Sequence, residues 1–320
     1  MGNKVNRRNE VNNLLSPAWD YAVRGMMDSY DKIAWRSVTE LCDSPRCKLL
    51  GQRHKGERPF LLRDGWSLMQ GQAVHSYIES FSGSIAGAIP EMRFITRFGD
   101  VQIQWKPDIM IRAGDCYDIH DYKTSTAKRV EMILENGPPS HYKLQLCLYR
   151  YLAEQYHGFK IGKLILNFAV MGWSQTEALR VRGYPQEPVM PVVITEPWSN
   201  EYCEKYLSER IELWQKAEKL PDDQLPDTPE DDCWVKESKW KVYKRQKNGD
   251  LSLRALKNFD TMVDAESFAA QKPEERKAIR VPGERTRCKR FCSVNMICSQ
   301  YQKYLAENQE TEVAVVEEDA

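Results

Sequence analysis

Lys106-Pro107-Asp108 and Asp121-Tyr122-Lys123 decide how this chain is read. Tyr117 to Lys123 predicts a strand, on which Asp121 and Lys123, two residues apart, share a face. Pro107 disfavours helix at Lys106 and sets Asp108 at a strand end or a turn. A hairpin from about Val101 to Lys123, turning at Ala113-Gly114-Asp115, brings Asp108 near Asp121. Two close carboxylates repel unless a cation sits between them, and hard oxygen donors suit Mg²⁺ or Mn²⁺. Such an ion can activate water and stabilise charge on a phosphodiester. Lys123 then positions the nucleophile or neutralises that charge.

Two further signals flank this pair. Upstream, Gly71-Gln-Ala-Val-His75 stands in a helical run from Met69 to Phe81, where His75 fits as an added ligand that shifts preference towards Mn²⁺. Met92 to Phe98 and Val101 to Trp105 predict strands joined at Gly99-Asp100. Downstream, after the loop Asn136 to Pro139, a helix runs from His141 to about Tyr156. It stacks Gln145 and Tyr149 on one face above an apolar stripe of Leu144, Leu148 and Leu152. Lys163 to Val170 reads as a buried strand. Asp118 and His120, opposite Asp121, suggest an edge-like or partly wet strand. A lone Asp-x-Lys is most often a solvated surface pair, so the order of four signals carries the reading.

In that order the signals resemble the PD-(D/E)XK nuclease superfamily and, within it, the RecB-type branch. The resemblance implies an α/β fold with a restriction-endonuclease-like core, a mixed sheet flanked by helices. It implies His75, Asp108 and Asp121 as ligands of Mg²⁺ or Mn²⁺, and Asp108, Asp121 and Lys123 as catalytic, with Gln145 and Tyr149 beside them. The expected activity is metal-dependent hydrolysis of DNA by an exonuclease in recombination, repair or phage DNA processing. The expected partners are DNA, single-stranded or with free ends, and a helicase or recombinase. A competing reading is a non-catalytic nucleic-acid-binding or scaffolding protein that retains the core. A third is a metal-thiolate regulatory or redox protein.

The chain has 320 residues, enough for one large core or two modest ones. Lys plus Arg balances Asp plus Glu at 46 each, so no global basic field announces nucleic acid and a DNA-binding face must be local. No apolar run approaches a membrane span, and Met1 to Glu10 is polar rather than signal-like. The expectation is a cytoplasmic protein of a bacterial or phage-infected host cell, without a membrane partner. Gly158 to Leu164 lacks the spacing and hydroxyl of an ATP-binding loop.

Nine cysteines in such a chain argue for reduced thiols and metal binding. Cys288, Cys292 and Cys298 form a closely spaced triplet of soft-metal ligands. Cys233 is the choice for a fourth, with Cys42 and Cys47 as alternatives; Cys116, Cys147 and Cys203 read as packing residues. A RecB-type core followed by such a triplet resembles the iron–sulfur exonucleases and the CRISPR-associated four-cysteine nucleases, which implies a [4Fe–4S] cluster. The C-x3-C-x5-C spacing departs from the more familiar C-x2-C-x5-C, and structural Zn²⁺ satisfies the same thiolates.

The expected organisation is an N-terminal helical segment over 1–40, with helices from Ser16-Pro17 and over Tyr30 to Leu41, and a nuclease core over 41–220. An acidic, proline-bearing linker follows over 221–232, then a C-terminal hairpin and cysteine-cluster unit over 233–302 and a disordered acidic tail over 303–320. The basic run Arg46 to Lys55 is a phosphate contact or a solvated face. Trp240 to Tyr243 and Leu251 to Phe259 predict a hairpin around Asn248-Gly249. There Lys239, Trp240, Lys241, Lys244 and Arg245 offer cations and an aromatic to nucleic acid, or a solvated hairpin with its tryptophan in the core.

Overall fold

The computed structural model describes residues 34–55, 62–246 and 248–317, with side chains over 34–55, 65–246 and 248–308. In chain order the elements begin β1 (Arg36–Ser37), α1 (Val38–Leu41), α2 (Pro45–Arg53), α3 (Leu62–Ser82), β2 (Ala88–Pro90) and β3 (Phe94–Phe98). Next come β4 (Val101–Trp105), β5 (Ile109–Ala113), β6 (Cys116–Thr126), α4 (Ala127–Asn136), α5 (Ser140–His157), β7 (Ile161–Met171) and α6 (Gln175–Arg180). Then follow β8 (Val189–Val193), α7 (Asn200–Ala217), β9 (Val235–Lys236), β10 (Lys239–Arg245) and β11 (Leu251–Phe259). The last are α8 (Met262–Ala270), β12 (Arg276–Val281), β13 (Glu284–Arg285), α9 (Thr286–Arg290) and α10 (Ser299–Glu317). The result is α/β, with mixed sheets flanked by helices. Its described residues divide into two units, 34–43 with 62–216 and 44–55 with 217–317.

The first unit is built on a five-stranded sheet in the order β2-β5-β6-β7-β8. Strand β6 lies at its centre, antiparallel to β5 and parallel to β7. It is therefore not the edge strand that Asp118 and His120 suggested. Asp118 instead accepts a hydrogen bond from the Lys163 amide at 2.7 Å, and His120 stands 3.3 Å from Asn167. Local pairing satisfies polar groups that an edge strand would leave to water.

Helix α5 forms one wall of the core. Its Leu146, Leu148 and Leu152 are fully buried, so truncating any one of them to alanine costs about 2–5 kcal/mol. Gly158, at φ +69°, ends the helix in the left-handed conformation that only glycine adopts without cost. Phe94 stacks on Trp105 at 4.3 Å, and His157 meets both rings edge-on.

Two local expectations change. No helix runs through Arg36, because Arg36 and Ser37 pair in parallel with Ile103 and Gln104 of β4. Ser37 then opens a four-residue α1 through a capping box with Glu40. The hairpin expected from Val101 to Lys123 is divided: β4 pairs with β3 in a separate sheet, β1-β4-β3, and only β5 and β6 form the turn through Gly114, at φ +67°. Ser16-Pro17 and the helix expected from it lie outside the described residues.

The second unit holds the sheet β11-β10-β12 and the pair β13-β9. The segment expected as a linker packs inside this unit, with Leu225 and Thr228 buried. Arg46 of α2, 2% exposed, holds it in place. Its guanidinium donates to the carbonyls of Leu225 and Pro226 and, at 2.8 Å, to Ser299 Oγ. Arg46 is thus an internal strut rather than a phosphate contact, and residues 44–55 belong to this unit rather than to the core. The expected tail is helical as far as Glu317 in α10.

Candidate active site

Asp121 stands at the middle of β6 and Lys123 two residues further on, on one face as their spacing requires. Lys123 Nζ stands 2.6 Å from Asp121 Oδ2, and Asp121 is 2% exposed. Gln145 of α5 reaches both: its Nε2 donates to Asp121 Oδ1 at 3.4 Å, and its Oε1 lies 3.5 Å from Lys123 Nζ. The same Nε2 is 2.9 Å from the Tyr149 hydroxyl. Helical i,i+4 spacing therefore places Gln145 against the carboxylate with Tyr149 behind it.

Asp108 occupies the turn between β4 and β5. Its Oδ2 accepts from the Tyr122 amide at 2.6 Å, and its Oδ1 lies 3.5 Å from His75 Nδ1. His75 of α3 turns its other nitrogen to the Tyr122 carbonyl at 2.8 Å. The Tyr122 backbone, between Asp121 and Lys123, thus touches Asp108 through its amide and His75 through its carbonyl.

One acid was not anticipated. Glu91 follows Pro90 at the end of β2, as Asp108 follows Pro107 before β5, and Pro90 pairs with Ile109 across that ladder. His75, Glu91 and Asp108 each offer a donor atom within 4.8 Å of the other two. Glu91 also pairs with Lys106, and it has φ +47°, a left-handed conformation uncommon outside glycine. The Pro-acid echo was visible in the chain, but no helix or strand periodicity marks a three-residue strand.

The electrostatics follow from this crowding. Burial pushes the Asp121 carboxyl up to about 6, against the pull of Lys123. For Lys123, burial opposes the charge, and the Asp121 carboxylate more than offsets it, so the ammonium's pKa is raised. The hydrogen bond to Asp108 raises His75, which favours imidazolium in the absence of a metal. Burial raises Glu91. Asp121 Oδ2 and Glu91 Oε2 are both buried without a hydrogen bond of good geometry, each beside a lysine ammonium. Carboxylate oxygens left in that state, beside an imidazole, fit a divalent cation.

The cysteines gather in the second unit. The thiols of Cys233, in a 3₁₀ turn, and Cys288, on α9, hydrogen-bond one another, as do those of Cys292 and Cys47, on α2. The Cys288 bond lowers Cys233, while the matching bonds and burial raise Cys288 and Cys292. Cys298, just before α10, neighbours Cys292 electrostatically. Cys42 belongs to the other unit. Cys147 and Cys203 are buried in the first unit as packing residues, and Cys116 is partly exposed there. On β10, Lys239, Lys241 and Arg245 alternate with Trp240 and Lys244 across the two faces of the sheet.

No family model and no curated protein matches the chain. Among solved structures it is similar to the crystal structure of SSO0001, at 20% identity and a TM-score of 0.43, covering 61% of this chain and 85% of that one. It is similar also to a candidate exonuclease from Eubacterium rectale, at 12% identity and a TM-score of 0.23, covering 53% of this chain and 57% of that one. At TM-scores this low neither likeness bears on function. Among the described residues no helix is long and apolar enough to cross a membrane.

Proposed function

We propose that this chain is a metal-dependent DNA nuclease of the PD-(D/E)XK type, hydrolysing phosphodiester bonds. The observation that carries the reading is the junction at Tyr122, which sets the donors of His75, Glu91 and Asp108 beside the buried Asp121–Lys123 pair. His75, Glu91, Asp108 and Asp121 would hold Mg²⁺ or Mn²⁺. The bound ion would supply an activated water and neutralise charge gathering on the phosphate.

The remaining work falls to the protein. Asp121 keeps the Lys123 ammonium charged inside a buried site, where a fixed cation stabilises developing negative charge far better than in water. Gln145 holds Asp121 and Lys123 in register, and Tyr149 holds Gln145. His75 must give up its proton to ligate a metal, so Asp108 and the metal compete for the imidazole.

The thiols support a second metal centre with a structural role. Cys288, Cys292 and Cys298, with Cys233 or Cys47, would hold a [4Fe–4S] cluster or Zn²⁺.

The test is incubation of the purified protein with end-labelled linear and circular DNA in Mg²⁺, Mn²⁺ or EDTA. Cleavage that needs the metal and disappears in Asp121→Ala supports the reading. Wild-type cleavage by Asp121→Ala, or none by the wild type with either metal, overturns it.

A further inference from the structure

Strand β10 runs between β11 and β12, and its unbroken ladder to β12 sorts its side chains by face. Val242 pairs with Ala278 and Lys244 with Arg276. Helix α8 covers that side: Phe268 lies 5.4 Å from Phe259, the Arg276 guanidinium stacks 4.1 Å over it, and Val242 is fully buried. Lys241 pairs with Ile279 and Tyr243 with Lys277 on the side away from α8. Arg245 joins them two residues further on.

The charge on that side is one-signed. The strands β10, β11 and β12 contain no Asp or Glu, in a chain whose charges balance overall. Lys239 pairs with Asp260, but among the described residues no carboxylate pairs with Lys241, Arg245 or Lys277. Alternate residues of one strand stand about 6.6 Å apart, so Lys241 and Arg245 flank Tyr243 in a row along the strand. Leu253 on the neighbouring β11 is wholly exposed.

We propose that this open face of the β10–β12 sheet docks single-stranded DNA. Lys241, Arg245 and Lys277 contact phosphates, and Tyr243 stacks on an unpaired base. The choice of DNA rests on the nuclease reading above; the choice of a polyanion rests on the face itself. Unpaired bases are favoured over duplex because the Tyr243 ring lies in the row of cations, and a duplex hides its π-faces in its own stack.

The test is fluorescence anisotropy of the full-length protein in EDTA, with labelled oligo-dT, the matching duplex, oligo-U and anionic vesicles. Lys241→Gln/Arg245→Gln should weaken oligo-dT binding at least tenfold. It should also flatten the dependence of log affinity on log salt by about 1.4, at roughly 0.7 for each single-strand phosphate no longer neutralised. Tyr243→Leu should weaken binding and leave the slope intact. Lys205→Gln, on the exposed surface of α7, removes a charge elsewhere and should change neither. A salt-independent loss of folded protein lowers the apparent affinity without changing the slope, so the slope separates lost phosphate contacts from such a loss. Unchanged affinity and slope in the double variant overturns the proposal, as does tighter binding to duplex, RNA or vesicles than to oligo-dT. Cleavage is read separately in Mn²⁺: intact docking without cleavage overturns the nuclease reading alone.

Discussion

Glu91 and Asp108 are joined across the ends of two antiparallel strands, the Glu91 amide donating to the Asp108 carbonyl at 2.9 Å. The bond fixes two acidic residues, each preceded by proline, at one end of the β2–β5 ladder. Glu91 holds this place at φ +47°. A non-glycine residue there stores on the order of 1–3 kcal/mol, which persists where surrounding structure enforces it.

Replacing Glu91 by glycine should therefore separate strain from ligation. Glu91→Gly relieves the backbone and removes the carboxylate. We expect a melting temperature at or above that of the wild type, with Mn²⁺ affinity reduced at least tenfold by calorimetry. Unchanged affinity would remove Glu91 from the site.

Lys123→Met should lower turnover by at least about 10²-fold, the scale of losing one preorganised charge donor, while KM changes little. Single-turnover kinetics on saturating DNA measures this. A rise in KM with turnover preserved would make Lys123 a binding residue instead.

Gln145→Leu breaks the bridge from Tyr149 to Asp121 and Lys123 and leaves Asp121 Oδ1 without that donor. Tyr149→Phe removes only the outer hydroxyl, a loss of about 0.5–1.5 kcal/mol of stability. The expected order of activity is wild type, then Tyr149→Phe, then Gln145→Leu. Reversal of the last two would place Tyr149, rather than Gln145, against the reacting groups.

The identity of the fourth thiolate is open to a direct comparison. Cys47→Ser and Cys233→Ser each remove one partner of a contacting thiol pair. Anaerobic purification with iron, sulfide and zinc analysis should show metal loss in one variant far exceeding the other. Equal retention in both, with equal melting temperatures, would remove Cys47 and Cys233 from the ligand set, and wild-type protein free of iron, sulfide and zinc would rule out the thiolate centre.

Much of the first unit was legible because its signals are periodic or local. The Asp121-x-Lys123 face follows from strand alternation, the Gln145–Tyr149 stack from helical spacing, and the turn from the Gly99-Asp100 pair, where Gly99 has φ +60°. What escaped depends on contacts distant in sequence. Arg36 reads as part of a helix until β4 recruits it as a strand, and its guanidinium then stacks 4.3 Å over Trp214 of α7. Residues 221–232 are polar and proline-bearing like a linker, yet they bury Leu225 beneath Arg46, some 180 positions earlier. Glu91 was hidden for the same reason: its partners, His75 and Asp108, come from a helix and a turn on either side of it.

The proposed site joins the His75, Glu91 and Asp108 donors and the Asp121–Lys123 pair in one metal-dependent phosphodiesterase. The most direct test is the single-turnover rate of DNA cleavage as a function of Mn²⁺, in the wild type and in Asp108→Ala. The wild-type rate should saturate with Mn²⁺ and vanish in EDTA. In Asp108→Ala the rate should fall by at least about 10²-fold, and higher Mn²⁺ should not restore it. Equal rates in the two proteins, or cleavage that persists in EDTA, would contradict the proposed site.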